Sequence, residues 1–184
     1  MKLHPLSAAL ALGAGLLAAT PALAEERICT GRIGAVSLDN VFVPDGRSCV
    51  LAQTRLKGNV VVGTGATLTA RSVSVNGNVQ AEGAQAVTIE GRSMIGGSVQ
   101  IVQGYAASVT AATVGGTILV DENTGPVSVL RNRVTGDIQL FANQGGVTVI
   151  DNRINGNLQC KENAPPPTGY GNRAASKEDQ CAGL

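Results

Sequence analysis

The chain has 184 residues, a formal net charge of +1 and only four aromatic side chains, Phe42, Phe141, Tyr105 and Tyr170, with no Trp. So even a charge balance argues against nucleic acid or an anionic membrane as a bulk electrostatic partner. So few rings exclude a core built on aromatics, and the chain must bury many small aliphatic side chains instead.

Residues 1–24, MKLHPLSAALALGAGLLAATPALA, place Lys2 ahead of an apolar stretch and end in Ala22-Leu23-Ala24. This is the pattern of a secretory signal peptide with a small-x-small cleavage site, too short and wrongly flanked for a membrane span. No Cys follows the cleavage point, which argues against a lipid anchor there. Cleavage would remove Lys2 and the only histidine, His4, leaving 13 basic against 13 acidic residues over 25–184. A single domain is expected over 25–184, secreted or periplasmic. No later stretch is apolar enough to cross a bilayer.

A pattern apolar-x-Gly-polar-apolar-x-apolar then recurs along the chain. It reads LKGNVVV (56–62), VNGNVQA (75–81), IGGSVQI (95–101), VGGTILV (114–120), VTGDIQL (134–140) and INGNLQC (154–160). The glycines Gly58, Gly77, Gly97, Gly116, Gly136 and Gly156 are separated by 19, 20, 19, 20 and 20 residues. A fainter copy, SLDNVFV (37–43), has Asp39 in the glycine slot. So tight a period marks a repeat fold. A second alternation follows each glycine by about ten residues, at 68–70, 87–89, 107–109, 127–129 and 147–149. Period-two alternation means strands, with Gly, Asn, Thr and Pro between them as turns.

A unit of this size cannot bury its own apolar face, whereas stacked units share one continuous core. The expected architecture is therefore all-β: a right-handed parallel β-helix (single-stranded solenoid) over 25–184, about 20 residues per coil and about eight coils, with rungs about 4.8 Å apart. The register predicts inward columns. These are Val60/Val79/Val99/Ile118/Ile138/Leu158, Leu56/Val75/Ile95/Val114/Val134/Ile154, Val62/Ala81/Ile101/Val120/Leu140/Cys160, Val87/Val127/Val147 and Ala70/Ile89/Val109/Val129/Val149.

Two asparagine columns share the period: Asn123, Asn143 and Asn163, and Asn132, Asn152 and Asn172. Corner asparagines tolerate a left-handed backbone, and stacked amides bond to one another and to the turn, so structural ladders are expected.

Exposed solenoid ends must be capped. Cys29 and Cys49, and Cys160 and Cys181, are each about one rung apart, inside disulfide range for stacked residues. The pairings Cys29–Cys49 and Cys160–Cys181 are expected; the other connectivities would join opposite ends of the rod. NAPPPTGYGN (163–172) reads as a rigid turn replacing the strand of the last rung.

The closing pattern GNLQCKENAPPPTGYGN (156–172) with a final Gln180-Cys181 resembles a family of uncharacterised secreted bacterial proteins. They share a leading Cys segment, repeats ending in Asn-Leu-Gln-Cys, a Pro-rich Asn segment and a terminal Gln-Cys. The likeness spans essentially 25–184 and implies a parallel β-helix, with no catalytic residue to carry over. The final rung departs from the pattern: AASKEDQC (174–181) stands where a Gly-containing repeat is expected. The GNV repeats bear a weaker resemblance to bactofilins, polymer-forming β-helical cytoskeletal proteins with uncapped ends.

Parallel β-helices also carry polysaccharide lyases and hydrolases, whose sites need paired acids on neighbouring rungs. Acids 19 to 21 apart occur only at Glu25 or Glu26 with Asp45; Asp121, Asp137 and Asp151 do not stack, and no histidine follows residue 24. Asp137 falls in a column of Asn, Ser and Thr, which reads as a solvated polar face. Three outer columns remain: a hydroxyl row (Thr69, Thr88, Ser108, Ser128, Thr148), an amide row broken by Leu119 (Gln80, Gln100, Gln139, Gln159) and an arginine row (Arg133, Arg153, Arg173). The hydroxyl row has irregular companions, Arg71, Glu90, Thr110, Leu130 and Ile150, so it does not form an ice-binding array. The arginine row is the candidate binding face for an anionic glycan or cell-wall polymer.

The expected function is that of an exported, non-enzymatic structural or cell-surface interaction module. It would be monomeric, would need no cofactor or metal, and would meet a cell-envelope polymer or surface protein. The alternatives are a small carbohydrate-active enzyme and a self-assembling filament.

Overall fold

The computed structural model describes residues 25–184, and the signal peptide expected over 1–24 lies outside the described residues. The described chain is a parallel β-solenoid of about eight rungs with no helix. Each regular rung contributes three short strands. The first follows the repeat glycine, as in Val79–Glu82; the second is the later alternation, as in Ala86–Glu90; the third, two residues long, precedes the next glycine, as in Met94–Ile95. Equivalent strands pair in parallel from rung to rung into sheets of nine, eight and seven strands, here called faces I, II and III in chain order within a rung.

The pairing register follows the glycine spacing. Val79 lies beside both Val60 and Val99, and Val99 beside Ile118. Ile89 sits between Ala70 and Val109, and Ile95 between Val75 and Val114. All five expected columns are buried. Leu68 and Ala107 complete the one led by Val87, above and below it. Because side chains alternate across a strand, one residue of slip would turn each column to solvent, so the core fixes the register. Burying each Val, Leu or Ile contributes about 1.5–3 kcal/mol, so stacked aliphatics substitute for rings.

The difference between 19- and 20-residue rungs is absorbed at the corners. Between faces I and II, Asp121 to Val127 holds one residue more than Val102 to Ala107. In the rung containing Gly91 the extra residue lies instead between faces II and III: Ile89 to Met94 is one longer than Val109 to Thr113. The Asn123–Asn143–Asn163 column begins where the first of these corners widens.

The two ends differ. Past the last strand of face I, Lys177–Asp179, a turn runs to Leu184, which packs against the core. At the other end the strand Glu26–Ile28 forms the edge of face I, with Ile28 and Val36 exposed. No helix among the described residues is long and apolar enough to cross a membrane.

Candidate binding faces and structural ladders

Both expected disulfides are present, Cys29–Cys49 and Cys160–Cys181, with Cα atoms 5.5 and 5.2 Å apart. Stacking on adjacent rungs brings each pair into range. No free cysteine remains among the described residues, which suits an oxidising, extracytoplasmic setting.

The six asparagines are buried and form two ladders. Asn152 Oδ1 accepts from the backbone N–H of Asn132 (2.9 Å) and from its Nδ2 (3.0 Å), while Asn152 Nδ2 donates to Val129 O (2.7 Å) and Asn172 Oδ1 (2.9 Å). Asn143 repeats this between Asn123 and Asn163, donating to Val120 O. These bonds satisfy corner amides that would otherwise be buried without partners.

One detail of the expectation is corrected. None of these asparagines has a left-handed backbone. The positive φ falls on the residue before each: Arg131 (56°), Asp151 (56°) and Gly171 (71°) in one column, Glu122 (54°), Ala142 (49°) and Glu162 (59°) in the other. The left-handed residue makes the bend and points outward, so the next side chain turns into the core, where its amide is needed.

A third ladder follows the repeat glycine. Asn59 N–H donates to Asn40 Oδ1, Asn78 N–H to Asn59 Oδ1 and Ser98 N–H to Asn78 Oδ1, each at 2.8 Å. It continues through Thr117 and Asp137, ending with Asn157 N–H on Asp137 Oδ1 at 2.7 Å. Asp137 is thus a partly buried ladder member, not a solvated surface acid. This explains the glycine. None of the six repeat glycines has a left-handed φ, but a Cβ at each would lie closer than 3.0 Å to the polar side chain of the preceding rung. The sequence carries the signal: the residue after the glycine is always Asn, Ser, Thr or Asp.

Outer columns also stack. Gln80 Nε2 donates to Gln100 Oε1 (3.3 Å), and Gln139 Nε2 to Gln159 Oε1 (2.8 Å), which hands on to Glu178 (2.7 Å). Hydrogen bonds from Ser176 and then Gln159 hold the Glu178 carboxyl below its ordinary value. Thr69, Thr88, Ser108, Ser128 and Thr148 lie in register, with Arg71 paired to Glu90 beside them. Burial, followed by the neighbouring Glu122 charge, raises the Asp121 carboxyl.

Arg133, Arg153 and Arg173 stack directly on face III, all exposed. Among the described residues none of the three makes an ion pair, and Asp151 bonds to none of them. Like charges opposed across strands destabilise a sheet, and no other paired register among the described residues opposes like charges. An open, shallow depression on this face is lined by Arg153, Asn155, Arg173 and Ala175. No group of three or more His, Cys, Asp or Glu among the described residues is placed to hold a metal.

No family model, curated protein or solved structure matches the chain.

Proposed function

We propose that the protein is an exported, non-enzymatic β-solenoid that serves as a structural or cell-surface interaction module, with the arginine column as its contact with a cell-envelope polymer. The observation that carries this is the contrast between columns. Asparagine, glutamine and post-glycine columns are bonded within themselves, whereas Arg133, Arg153 and Arg173 spend stability on mutual repulsion and present their donors to solvent. Uncompensated departures from local rules concentrate at functional sites. The two disulfides and the signal-like leader support a secreted or periplasmic setting, and the resemblance to secreted bacterial proteins supports a bacterial envelope.

Co-sedimentation of the 25–184 chain with washed bacterial envelope fractions tests this. Retention in the pellet that weakens in Arg153→Gln is expected. A chain that stays dispersed and monomeric in the supernatant would count against it.

A second reading, end-to-end self-association, draws on the edge strand Glu26–Ile28 with exposed Ile28 and Val36. Sedimentation that rises with concentration, and is abolished by Ile28→Lys, would favour it.

A further inference from the structure

We propose that the column Arg133–Arg153–Arg173 binds a linear carboxylated polysaccharide of the polyuronate type, laid along the rod axis; this rests on the interaction reading above and names its polymer.

The spacing comes first. Arg153 pairs with Arg133 on one side and Arg173 on the other, so the three side chains leave the backbone about 4.8 Å apart along the axis. An extended glycan with one carboxylate per sugar advances by a comparable distance per unit. Successive units of an extended two-fold chain turn their carboxylates to opposite sides, so the first and third carboxylates of a trimer face Arg133 and Arg173, about 9.6 Å apart, with Arg153 between them in reach of both. A guanidinium offers parallel N–H donors that match the two oxygens of a carboxylate.

The surroundings suit a sugar. Two residues further along each rung stand Thr135, Asn155 and Ala175, all exposed. They place a hydroxyl, an amide and a small apolar surface beside the cations, within reach of sugar hydroxyls. The depression lined by Arg153, Asn155, Arg173 and Ala175 gives the chain a shallow seat. This stretch of face III carries no aromatic ring on which a nucleobase would stack.

The strip has defined limits. Earlier members of the column are Thr113, Met94, Ser74, Arg55 and Ser37. Arg55 is thus isolated from the three by three neutral residues, and the contiguous cationic run is three rungs long. A site of this length reads three consecutive uronates.

The test uses the disulfide-bonded 25–184 chain, titrated at low salt with oligogalacturonates of increasing length, a neutral galactan and polyphosphate. Affinity should climb up to the trimer and change little beyond it, the galactan should not bind, and polyphosphate, whose units are shorter, should level off only at a greater number of units. Arg153→Gln should lose about tenfold in affinity for the trimer, as expected for one charge-assisted contact. Arg55→Gln, also exposed on the same column, should lose nothing. Uronate affinity that shows no step at the trimer, or an Arg153→Gln chain that binds as before, would overturn the assignment. Envelope co-sedimentation without uronate binding would sink this inference and leave the interaction reading standing, while loss of both would sink both.

Discussion

Gln180 finishes the ladder that Asn163 would otherwise leave open. Its Oε1 accepts from Asn163 N–H (2.9 Å) and Nδ2 (3.1 Å), and its Nε2 donates back to Asn163 O (3.0 Å). The next residue, Cys181, is tied to Cys160. The terminal Gln-Cys therefore closes an amide column and a core column together. Gln180→Ala leaves two Asn163 donors unmet and should cost about 1–3 kcal/mol. Faster amide exchange over 160–184, with the rungs around Val79 unchanged, is the reading to look for.

Removing an amide from the middle of a ladder should cost more. Asn152→Ala takes away the acceptor for two Asn132 donors and leaves Val129 O without its Asn152 partner. A loss of about 3 kcal/mol is expected, or roughly 10 °C in thermal midpoint for a domain of this size. Midpoints within a degree of the parent would refute the ladder's role.

The repeat glycines make a sharper contrast. At Gly136 an added Cβ would come within 2.6 Å of Thr117 Oγ1 and 2.8 Å of Gly116 O, whereas at Gly31 it would meet nothing within 4 Å. Neither residue has a left-handed φ, so crowding alone separates them. Gly136→Ala should destabilise by about 1–3 kcal/mol and Gly31→Ala should be neutral or slightly stabilising. Paired denaturant melts would show the difference.

Much of this was legible in advance. Period-two alternation at an interval of 19 or 20 residues specified the parallel register, the five buried columns and both disulfides, because a stacked residue has one possible neighbour on each side. Corners were harder to read. The column of Asn, Ser, Thr and Asp after each glycine looks like an ordinary polar surface in sequence, and only the approach of successive backbones shows that it bonds the next rung. In the same way, Arg131 and Asp151 carry the bend while Asn132 and Asn152 carry the bonds, a division of labour that pattern alone does not separate. Gln180 stands apart from the asparagine spacing, at 17 residues from Asn163, so periodicity does not point to it.

Acid should loosen the last rung. The Glu178 carboxyl is held below its ordinary value by Ser176 and Gln159. A depressed acid stabilises the fold above its unfolded pKa, and that contribution disappears as pH falls through the folded value. Asp121, raised by burial, acts in the opposite sense: its protonation favours the fold. Glu178→Gln should flatten the acid limb of the stability profile below about pH 4.5, while Asp121→Asn should remove a penalty at neutral pH. Thermal midpoints measured from pH 3 to 7 would separate the two.

The Cys160–Cys181 bond closes a loop with a sequence separation of 21, so its loss should cost about 3 kcal/mol in the loop-entropy model. Replacing both cysteines with serine should loosen the last rung and bare Leu158 beneath it, and sedimentation would report any aggregation that follows.

Among the described residues the fully buried amide columns run from Asn123 to Asn172. In the earlier rungs the matching corners are filled by Ala84, Val73, Ser93 and Ala112. Heat or force applied to the molecule should therefore peel it directionally, like a zip with its stiff teeth at one end. The coils between the Cys29–Cys49 bond and Asn123 would let go while the carboxyl-terminal block, arginine strip included, still holds its shape.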